Sequence, residues 1–391
     1  MTKIEINNTN KRAVRQALFA YFFCAGLCFS SWASRIPEIK QFFGLDDAAW
    51  GSMLLMIPIG QVVSMSFSGR LISRVGSHKV LFVSVLGYAL TLSLIGLASS
   101  KALFITALII YGFFGNFCNI AMNSQALIIE SVYSKPIMAS FHGGWSLAGL
   151  CGGLIGLAMT VVHVPTHIHF LVVTTLILAT SIYLYRFLQN DAMTSEQRAK
   201  AHEEKKKKVG FEMFLLWFGI IGFFGWTTEG TMVDWNGIYL RDIVGVDDAL
   251  TPVGLTVYMI TMTIGRFFID RATAAWGRKR ILCFCGAAIS IGMFMLVFLP
   301  SFVTTIIGLM IVGLGACGVI PLLYSATGEK SKMHPSRAIT IVSTISFAGF
   351  LIGPPVIGYI SELTSLRYAF ALVAVFGLCS IFISSRLKEL D

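Results

Sequence analysis

The sequence predicts an all-α integral membrane protein whose twelve transmembrane helices form two pseudo-symmetric six-helix bundles. Three observations predict this class: the composition, the number of long apolar segments, and a pattern repeated in the two halves of the chain. Of the 391 residues, 55% are hydrophobic and only 13% are charged, whereas about 25% are charged in a soluble domain. Such a chain has too few polar residues to cover a surface that faces water. We therefore expect lipid to surround it, and disordered or disulfide-scaffold classes are excluded.

The spanning helices follow from segment length, because a helix needs about 20 mostly apolar residues to cross a bilayer. Two segments, Val80–Ser100 and Ala102–Ile129, contain no Asp, Glu, Lys or Arg. The sequence shows no alternating segments of the kind that form membrane β-barrels. The twelve predicted spans are 14–35, 48–70, 79–100, 102–130, 136–162, 166–187, 211–239, 250–270, 279–299, 301–326, 337–360 and 366–386.

Membrane orientation follows from the Lys and Arg residues in the loops, which concentrate on the cytosolic side of membrane proteins. If the N-terminus is cytosolic, 25 of the 30 Lys and Arg residues lie on the cytosolic side and 5 lie outside. We therefore expect a multi-pass protein of the inner or plasma membrane with both termini in the cytosol. The net charge of +10 is then a topology signal, and we expect no nucleic-acid partner.

The sequence lacks the residue patterns that are typical of catalytic sites and of metal sites. All eight Cys residues lie in predicted spans, where we expect them to be small buried residues. We find no nucleophile–base set and no phosphate-binding loop. The sequence therefore predicts neither an enzyme nor a cofactor, and no metal site.

A polar stretch at 188–210 separates six spans from six. We predict an N-terminal bundle over 1–187, a cytosolic linker over 188–210 and a C-terminal bundle over 211–391. The halves repeat short motifs at an offset of 201 to 206 residues. The repeats are Gly76-Ser77-His78-Lys79-Val80-Leu81 with Gly277-Arg278-Lys279-Arg280-Ile281-Leu282, Ser140-Phe141-His142-Gly143 with Ser346-Phe347-Ala348-Gly349, and Trp32 with Trp235. Transporters built from two parallel repeats hold their solute near the midplane, between the repeats.

The loop after the second span resembles the loop signature of the major facilitator superfamily. It reads Gly69-Arg70-Leu71-Ile72-Ser73-Arg74-Val75-Gly76-Ser77-His78-Lys79, with Ser73 in place of the family's Asp. Its second copy ends Trp276-Gly277-Arg278-Lys279-Arg280, with Ala274 at the acid position. In the family this acid is part of a cytosolic latch between the halves, so the resemblance implies a different latch here. The candidate gating residues are Arg70, Arg74, Glu130, Arg266 and Asp270.

The resemblance covers the whole chain and implies the major facilitator fold, with alternating access and a cavity lined by the first, fourth, seventh and tenth spans. Three further motifs resemble the MosC-like subgroup, which is linked with polar molecules related to sugars and cyclitols. They are Ser31-Trp32-Ala33-Ser34-Arg35-Ile36-Pro37, Phe141-His142-Gly143-Gly144-Trp145-Ser146-Leu147, and Glu229-Gly230 with Asp234-Trp235.

Glu229 is the strongest candidate for proton coupling, because polar groups inside the membrane are costly and tend to face a cavity. It follows the uncharged run Met213–Thr228 and lies about 27 Å along the seventh span, in its outer third. A carboxyl group in a poorly hydrated cavity can hold or release a proton near neutral pH. The alternative is a structural clamp with Arg35 or Arg241.

Asp234 and His142 are further candidates for proton coupling, since an imidazole titrates near neutral pH. Asp234 could instead face water at the outer mouth, and a lone histidine such as His142 often has a structural role. Arg35, at the end of the first span, is a candidate outer gate that pairs with Asp234. Its alternative partner is Glu38, near the surface.

Asn116, Asn119 and Asn123 follow the spacing i, i+3 and i+7, which places three amides on one face of a helix. These amides could bind the hydroxyl groups of a polar solute, or they could join the fourth span to a neighbouring helix. Trp145 and Gln61 are further candidates for the solute site, and an ordinary packing role is the alternative for Trp145.

The sequence thus predicts a monomeric secondary active transporter that moves a small sugar- or cyclitol-like solute by alternating access, coupled to protons. Its partners are the solute, the proton and the lipid bilayer. One alternative is a multidrug exporter of amphipathic compounds, against which the three asparagines argue. The other is a non-transporting membrane receptor or scaffold, which would need a larger docking loop than the chain contains.

Overall fold

The computed structural model describes residues 10–130, 132–133, 137–190, 212–332 and 335–391. Within these ranges the chain forms helices and no β-strand. Eleven helical segments there are long and apolar enough to cross a membrane, and Met213–Asp242 is a further helix of 30 residues. The predicted all-α membrane class is therefore confirmed. Most of the predicted linker, from residue 191 onwards, lies outside the described ranges.

The helices follow one another with short connections. In chain order they are α1 (Lys11–Ser34), α2 (Ile36–Phe42), α3 (Asp47–Leu54), α4 (Met56–Val75), α5 (Ser77–Gly96), α6 (Lys101–Glu130), α7 (Met138–Val161), α8 (Thr166–Leu184), α9 (Met213–Asp242), α10 (Pro252–Trp276), α11 (Arg278–Phe298), α12 (Phe302–Lys330), α13 (Pro335–Leu363) and α14 (Leu366–Arg386).

The predicted second span, 48–70, is divided into α3 and α4 at Leu55. Pro58 explains the break, because it lies near the start of α4 and has no N–H to donate to the carbonyl group four residues earlier. The division matters for the fold, since α3 and α4 pack in different parts of the molecule.

The chain divides into two compact units. Unit 1 consists of Met1–Arg35 and Met56–Lys208, and unit 2 of Ile36–Leu55 and Val209–Asp391. In unit 1, α1 packs on α7, α4 and α5 pack on α6, and α5 packs on α8. In unit 2, α9 packs on α13, and α11 packs on both α12 and α14.

Close helix crossings explain part of the high glycine content. In unit 1, a Cβ atom added at Gly60 would lie 1.9 Å from the carbonyl oxygen of Ile109, and one at Gly112 would lie 1.9 Å from that of Ile57. The backbones of α4 and α6 therefore touch, as small residues allow in membrane helices. This crossing places the polar face of α6 beside α4.

The repeated motif adopts the same backbone conformation in both units. Gly76 precedes α5 with φ 88° and ψ 146°, and Gly277 precedes α11 with φ 83° and ψ 152°. A positive φ of this size favours glycine. The two tryptophans of the repeat, Trp32 and Trp235, are both buried. These equivalent positions agree with the duplication inferred from the sequence.

Candidate functional site

Glu229 and Arg266 form an ion pair inside unit 2. Oε1 of Glu229 on α9 lies 3.9 Å from Nη2 of Arg266 on α10, and their side chains are 12% and 30% exposed. The sequence had suggested Arg266 for a cytosolic latch and Arg241 as a clamp for Glu229. Arg241 instead pairs with Asp242, with Nε 2.6 Å from Oδ1. The pairing of α9 with α10 is thus what gives Glu229 its partner.

The depth predicted for Glu229 is corrected by the observed helix. Because α9 spans Met213–Asp242, Glu229 lies about 24 Å from the start of a helix about 45 Å long. It therefore lies in the middle third of the helix and not in the outer third. The predicted span ended at residue 239, yet the helix continues through the charged residues Arg241 and Asp242.

Aromatic side chains surround the α9 turn before Glu229. Trp226 lies three residues earlier, on nearly the same face of the helix. Its ring centroid is 5.7 Å from that of Phe350 in an edge-on arrangement, and its indole is hydrogen-bonded to Tyr324. An aromatic plane next to a carboxylate and a guanidinium is suited to a ring-shaped polar solute.

Helices α9 and α13 approach closely beside this turn. A Cβ atom added at Gly349 would lie 2.2 Å from the carbonyl oxygen of Phe223, and one at Gly353 would lie 3.2 Å from the side chain of Thr227. The Thr227 hydroxyl donates to the Gly349 carbonyl over 3.2 Å. This contact fixes the α9 turn that leads to Glu229, and it explains the glycine spacing in α13.

Asp234 lies five residues beyond Glu229 on α9 and is 7% exposed. The alternative interpretation, in which Asp234 faces water at an outer mouth, does not agree with this burial. Trp235, next to it, is fully buried. Asp234 is thus a second carboxyl group inside unit 2.

The three asparagines of α6 have two different environments in unit 1. The amide of Asn116 donates to Oγ of Ser64 over 2.6 Å and to the carbonyl oxygen of Gln61 over 3.2 Å, so Asn116 joins α6 to α4. The amide of Asn123 donates to Oδ1 of Asn119 over 2.7 Å, and Asn119 is exposed. The structure therefore supports the helix-joining interpretation for Asn116 and leaves Asn119 and Asn123 as candidates for the solute.

Two other candidates of unit 1 lie where α7 packs on α1. The His142 ring meets Phe22 edge-on at 5.4 Å, and the Trp145 ring lies 5.6 Å from that of Phe29. His142 is exposed and Trp145 is half-buried. His142 and Trp145 thus both contact aromatic rings of α1, and they lie three residues apart on nearly the same face of α7.

Arg35 is almost completely buried at the end of α1, with 2% of the residue exposed. Its Nε donates to Nδ1 of His169 over 3.1 Å, and its Nη2 donates to the carbonyl oxygen of Val164 over 2.8 Å. These contacts belong to unit 1 and anchor the end of α1 to the start of α8. His169 is also fully buried.

The candidates for a cytosolic latch are spread over several elements. Arg70 and Arg74 are exposed on α4, and Glu130 accepts a hydrogen bond from the Ile137 amide over 2.7 Å at the start of α7. In unit 2, Asp270 lines a cavity of about 440 Å³ with Arg278, whose Nη2 lies 2.5 Å from the Glu329 carboxylate.

A group of charged residues that sequence reasoning missed lies where α2 and α3 join unit 2. Lys40, Asp47, Arg241 and Asp242 form this group, which we call the Lys40 cluster. Lys40 forms an ion pair with Asp47 and lies 3.6 Å from Asp242, and its side chain is only 7% exposed. In the sequence these residues are ordinary loop charges, because their pairing depends on contacts between distant segments.

Hydrogen bonds and backbone contacts extend the Lys40 cluster to α13. The Ser361 hydroxyl donates to the Asp47 carboxylate, and the Asp47 amide donates to Glu362 over 3.1 Å. A Cβ atom added at Gly51 would lie 2.6 Å from the Pro354 carbonyl oxygen. The short segment α2–α3 is therefore held in unit 2 by both charge and packing.

Comparison with known proteins shows the family. The model of the Major Facilitator Superfamily matches residues 17–251 and 235–389. An uncharacterized MFS-type transporter of Yersinia pestis is 32% identical over 357 residues, which cover 90% of each protein. The membrane protein MosC of Rhizobium meliloti is 29% identical over 374 residues, covering 95% of this chain and 89% of MosC.

Solved structures show the same fold. The crystal structure of a D-xylose-proton symporter superposes with a TM-score of 0.76 at 11% identity, covering 96% of this chain and 98% of the symporter. At this identity the likeness concerns the fold alone. The matching family model and the similarity to the Yersinia transporter and to MosC show that this chain belongs to the major facilitator superfamily of transporters.

Proposed function

We propose that this transporter is a secondary active carrier that couples protons to the movement of a small polar, sugar- or cyclitol-like solute by alternating access. The observation that carries the proposal is the Glu229–Arg266 pair, 3.9 Å apart inside a membrane helix bundle. Ionisable groups in such positions are costly and mark pathways for ions or solutes. The sequence-based topology, with both termini in the cytosol, is part of the proposal.

The pair supports a simple coupling chemistry. When Glu229 is ionised, its charge balances that of Arg266. When Glu229 takes up a proton, this attraction is lost, while Arg266, whose side chain is 30% exposed, keeps its charge. Protonation therefore favours a conformation in which Arg266 regains water or a solute oxygen.

The solute class is supported by aromatic and amide groups within each separate unit and by the relatives. Trp226 and Phe350 provide aromatic surface next to Glu229, and the Asn119–Asn123 pair adds amides in unit 1. The symporter with the similar fold carries D-xylose together with a proton. These observations favour a hydroxylated solute over an amphipathic drug.

The experiment is uptake into proteoliposomes that contain the purified protein. The probes are radiolabelled D-xylose and myo-inositol, each with and without an inward proton gradient, and a pH-sensitive dye inside the vesicles records proton entry. We expect a probe to accumulate only with the gradient and to carry protons with it. Uptake of neither probe, combined with gradient-driven export of a lipophilic dye, would favour the multidrug exporter. Absence of any flux would favour the receptor or scaffold.

We further propose that the Lys40 cluster holds α2–α3 on unit 2 throughout the transport cycle. The segment α2–α3 is continuous with α1 and α4 of unit 1, yet it packs in unit 2. Its ion pairs and its contact with α13 are internal to unit 2, so they can stay formed during alternating access.

A reversible crosslink tests this attachment. Asp47 and Ser361 are in side-chain contact, so the variant Asp47→Cys/Ser361→Cys can form a disulfide between α3 and α13. We expect the oxidised variant to keep the uptake of Asp47→Cys alone. The control is Ser93→Cys/Thr174→Cys, whose hydroxyls lie 2.8 Å apart within unit 1 and whose oxidation should also leave uptake unchanged. Loss of uptake on oxidation of the Asp47/Ser361 variant, restored by reduction, would show that the segment leaves α13 during transport.

A further inference from the structure

Tyr258 on α10 is a buried tyrosine with an unpaired hydroxyl group. The residue is 0% exposed, and its hydroxyl has no hydrogen-bond partner among the described residues. Three other fully buried tyrosines differ from it, because each donates to a backbone carbonyl group: Tyr21 to Ser181, Tyr111 to Cys28 and Tyr239 to Leu296. An unpaired polar group in the interior calls for a specific explanation.

The surroundings of Tyr258 connect it with the ion pair. Tyr258 and Arg266 belong to the same helix, α10, about two turns apart, and the charges of Glu229 and Arg266 both act on the phenol. The two charged groups are 3.9 Å apart, which is within ion-pair range but too long for a direct hydrogen bond. The site thus combines a carboxylate that only accepts hydrogen bonds, a guanidinium that only donates them, and a hydroxyl that can do both.

This combination indicates which solute group it can hold. Glu229 repels an anionic group, and Arg266 repels a cationic one. A neutral hydroxyl group donates to the carboxylate and still accepts from a phenol or a guanidinium. A buried site that is built to bind a hydroxyl rejects analogues that lack it, because the polar groups of the site are then left unpaired.

We infer that Tyr258 is a specificity-determining residue, whose hydroxyl hydrogen-bonds one hydroxyl group of a neutral solute held at the Glu229–Arg266 pair. This inference rests on the proposed function and names the solute chemistry more narrowly than that proposal does. Tyr258 is fully buried, whereas the Arg266 side chain is 30% exposed.

Tyr258→Phe tests the inference in two measurements. Removing an unpaired buried hydroxyl should raise the thermal unfolding midpoint of the purified protein, by about 1–3 °C. In proteoliposomes, myo-inositol, D-xylose and their monodeoxy analogues are tested as competitors of labelled solute uptake. For the parent compound that the carrier accepts, Tyr258→Phe should raise the concentration needed for half-maximal competition about fivefold to tenfold. One monodeoxy analogue should bind the wild type and Tyr258→Phe equally.

Tyr239→Phe is the matched control, because its hydroxyl is already bonded to Leu296. It should lower the unfolding midpoint and leave the ranking of the analogues unchanged. Equal competition by every analogue in the wild type and in Tyr258→Phe would overturn the inference, as would a lowered midpoint in Tyr258→Phe. If the wild type accepts none of these neutral compounds, the solute class of the proposed function fails first, and this inference fails with it.

Discussion

Removal of the charge on Glu229 should affect both stability and coupling. At 3.9 Å from Arg266, the pair has an attraction of about 4 kcal/mol at an effective dielectric constant near 20. Desolvation of the two groups and the 30% exposure of Arg266 offset part of this attraction. We therefore expect Glu229→Gln to lower the free energy of unfolding by about 2–3 kcal/mol.

A double-mutant cycle isolates the pair. Arg266→Met should be destabilising by a similar amount, and Glu229→Gln/Arg266→Met should be more stable than the sum of the two single effects, with a coupling of about 2 kcal/mol. The measurement is denaturant unfolding in detergent, followed by tryptophan fluorescence. Glu329→Gln is the control, since its pair with Arg278 is exposed and should contribute little.

Transport provides the second readout for the same variants. Glu229→Gln should lose accumulation driven by a proton gradient while it retains solute exchange without a gradient, because a glutamine cannot take up the proton. Gradient-driven accumulation by Glu229→Gln at the wild-type level would refute the coupling role. Additive stabilities in the cycle would show that Glu229 and Arg266 do not interact.

Two further predictions concern packing. Asn116→Ala should lower the free energy of unfolding by about 1 kcal/mol, because the Asn116 amide is hydrogen-bonded to α4. Asn119→Ala should leave stability unchanged and weaken solute uptake. Unfolding curves and uptake kinetics test the two variants, and equal losses of stability would contradict the prediction. Gly349→Ala should lower the thermal unfolding midpoint strongly, because its Cβ atom would lie 2.2 Å from the Phe223 carbonyl oxygen. Gly328→Ala is the control, since the nearest atom to its Cβ would be 4.0 Å away. Equal midpoints for the two variants would contradict the close α9–α13 contact.

Several features of this protein followed from local sequence alone. Long apolar segments predicted the helices, and a carboxyl group inside one of them marked Glu229 as a functional candidate. The repeated glycines at Gly76 and Gly277 predicted the duplication, and both adopt a positive φ. The predictions of the helices and of the duplication held because hydrophobic length and the glycine requirement are properties of short segments.

Other features could not be read from the sequence because they depend on pairing between distant segments. The spacing of Asn116, Asn119 and Asn123 predicted a common helix face but not that Asn116 bonds to α4. Lys40 was counted for topology and Asp47 was not a candidate, since no local pattern shows that α2–α3 packs on α13. The unpaired hydroxyl of Tyr258 is likewise visible only when all its neighbours are in place.

The sequence by itself thus determined the lipid environment, the helical class, the two-fold repeat and the family, because each depends on composition or on short motifs. Only the tertiary structure decided that Glu229 faces Arg266 and that the segment after α1 joins the second unit. The physical reason is that the partner of a buried charge or of a helix face is set by long-range packing. Many segments of equal hydrophobicity could supply such a partner, so the sequence alone does not select one.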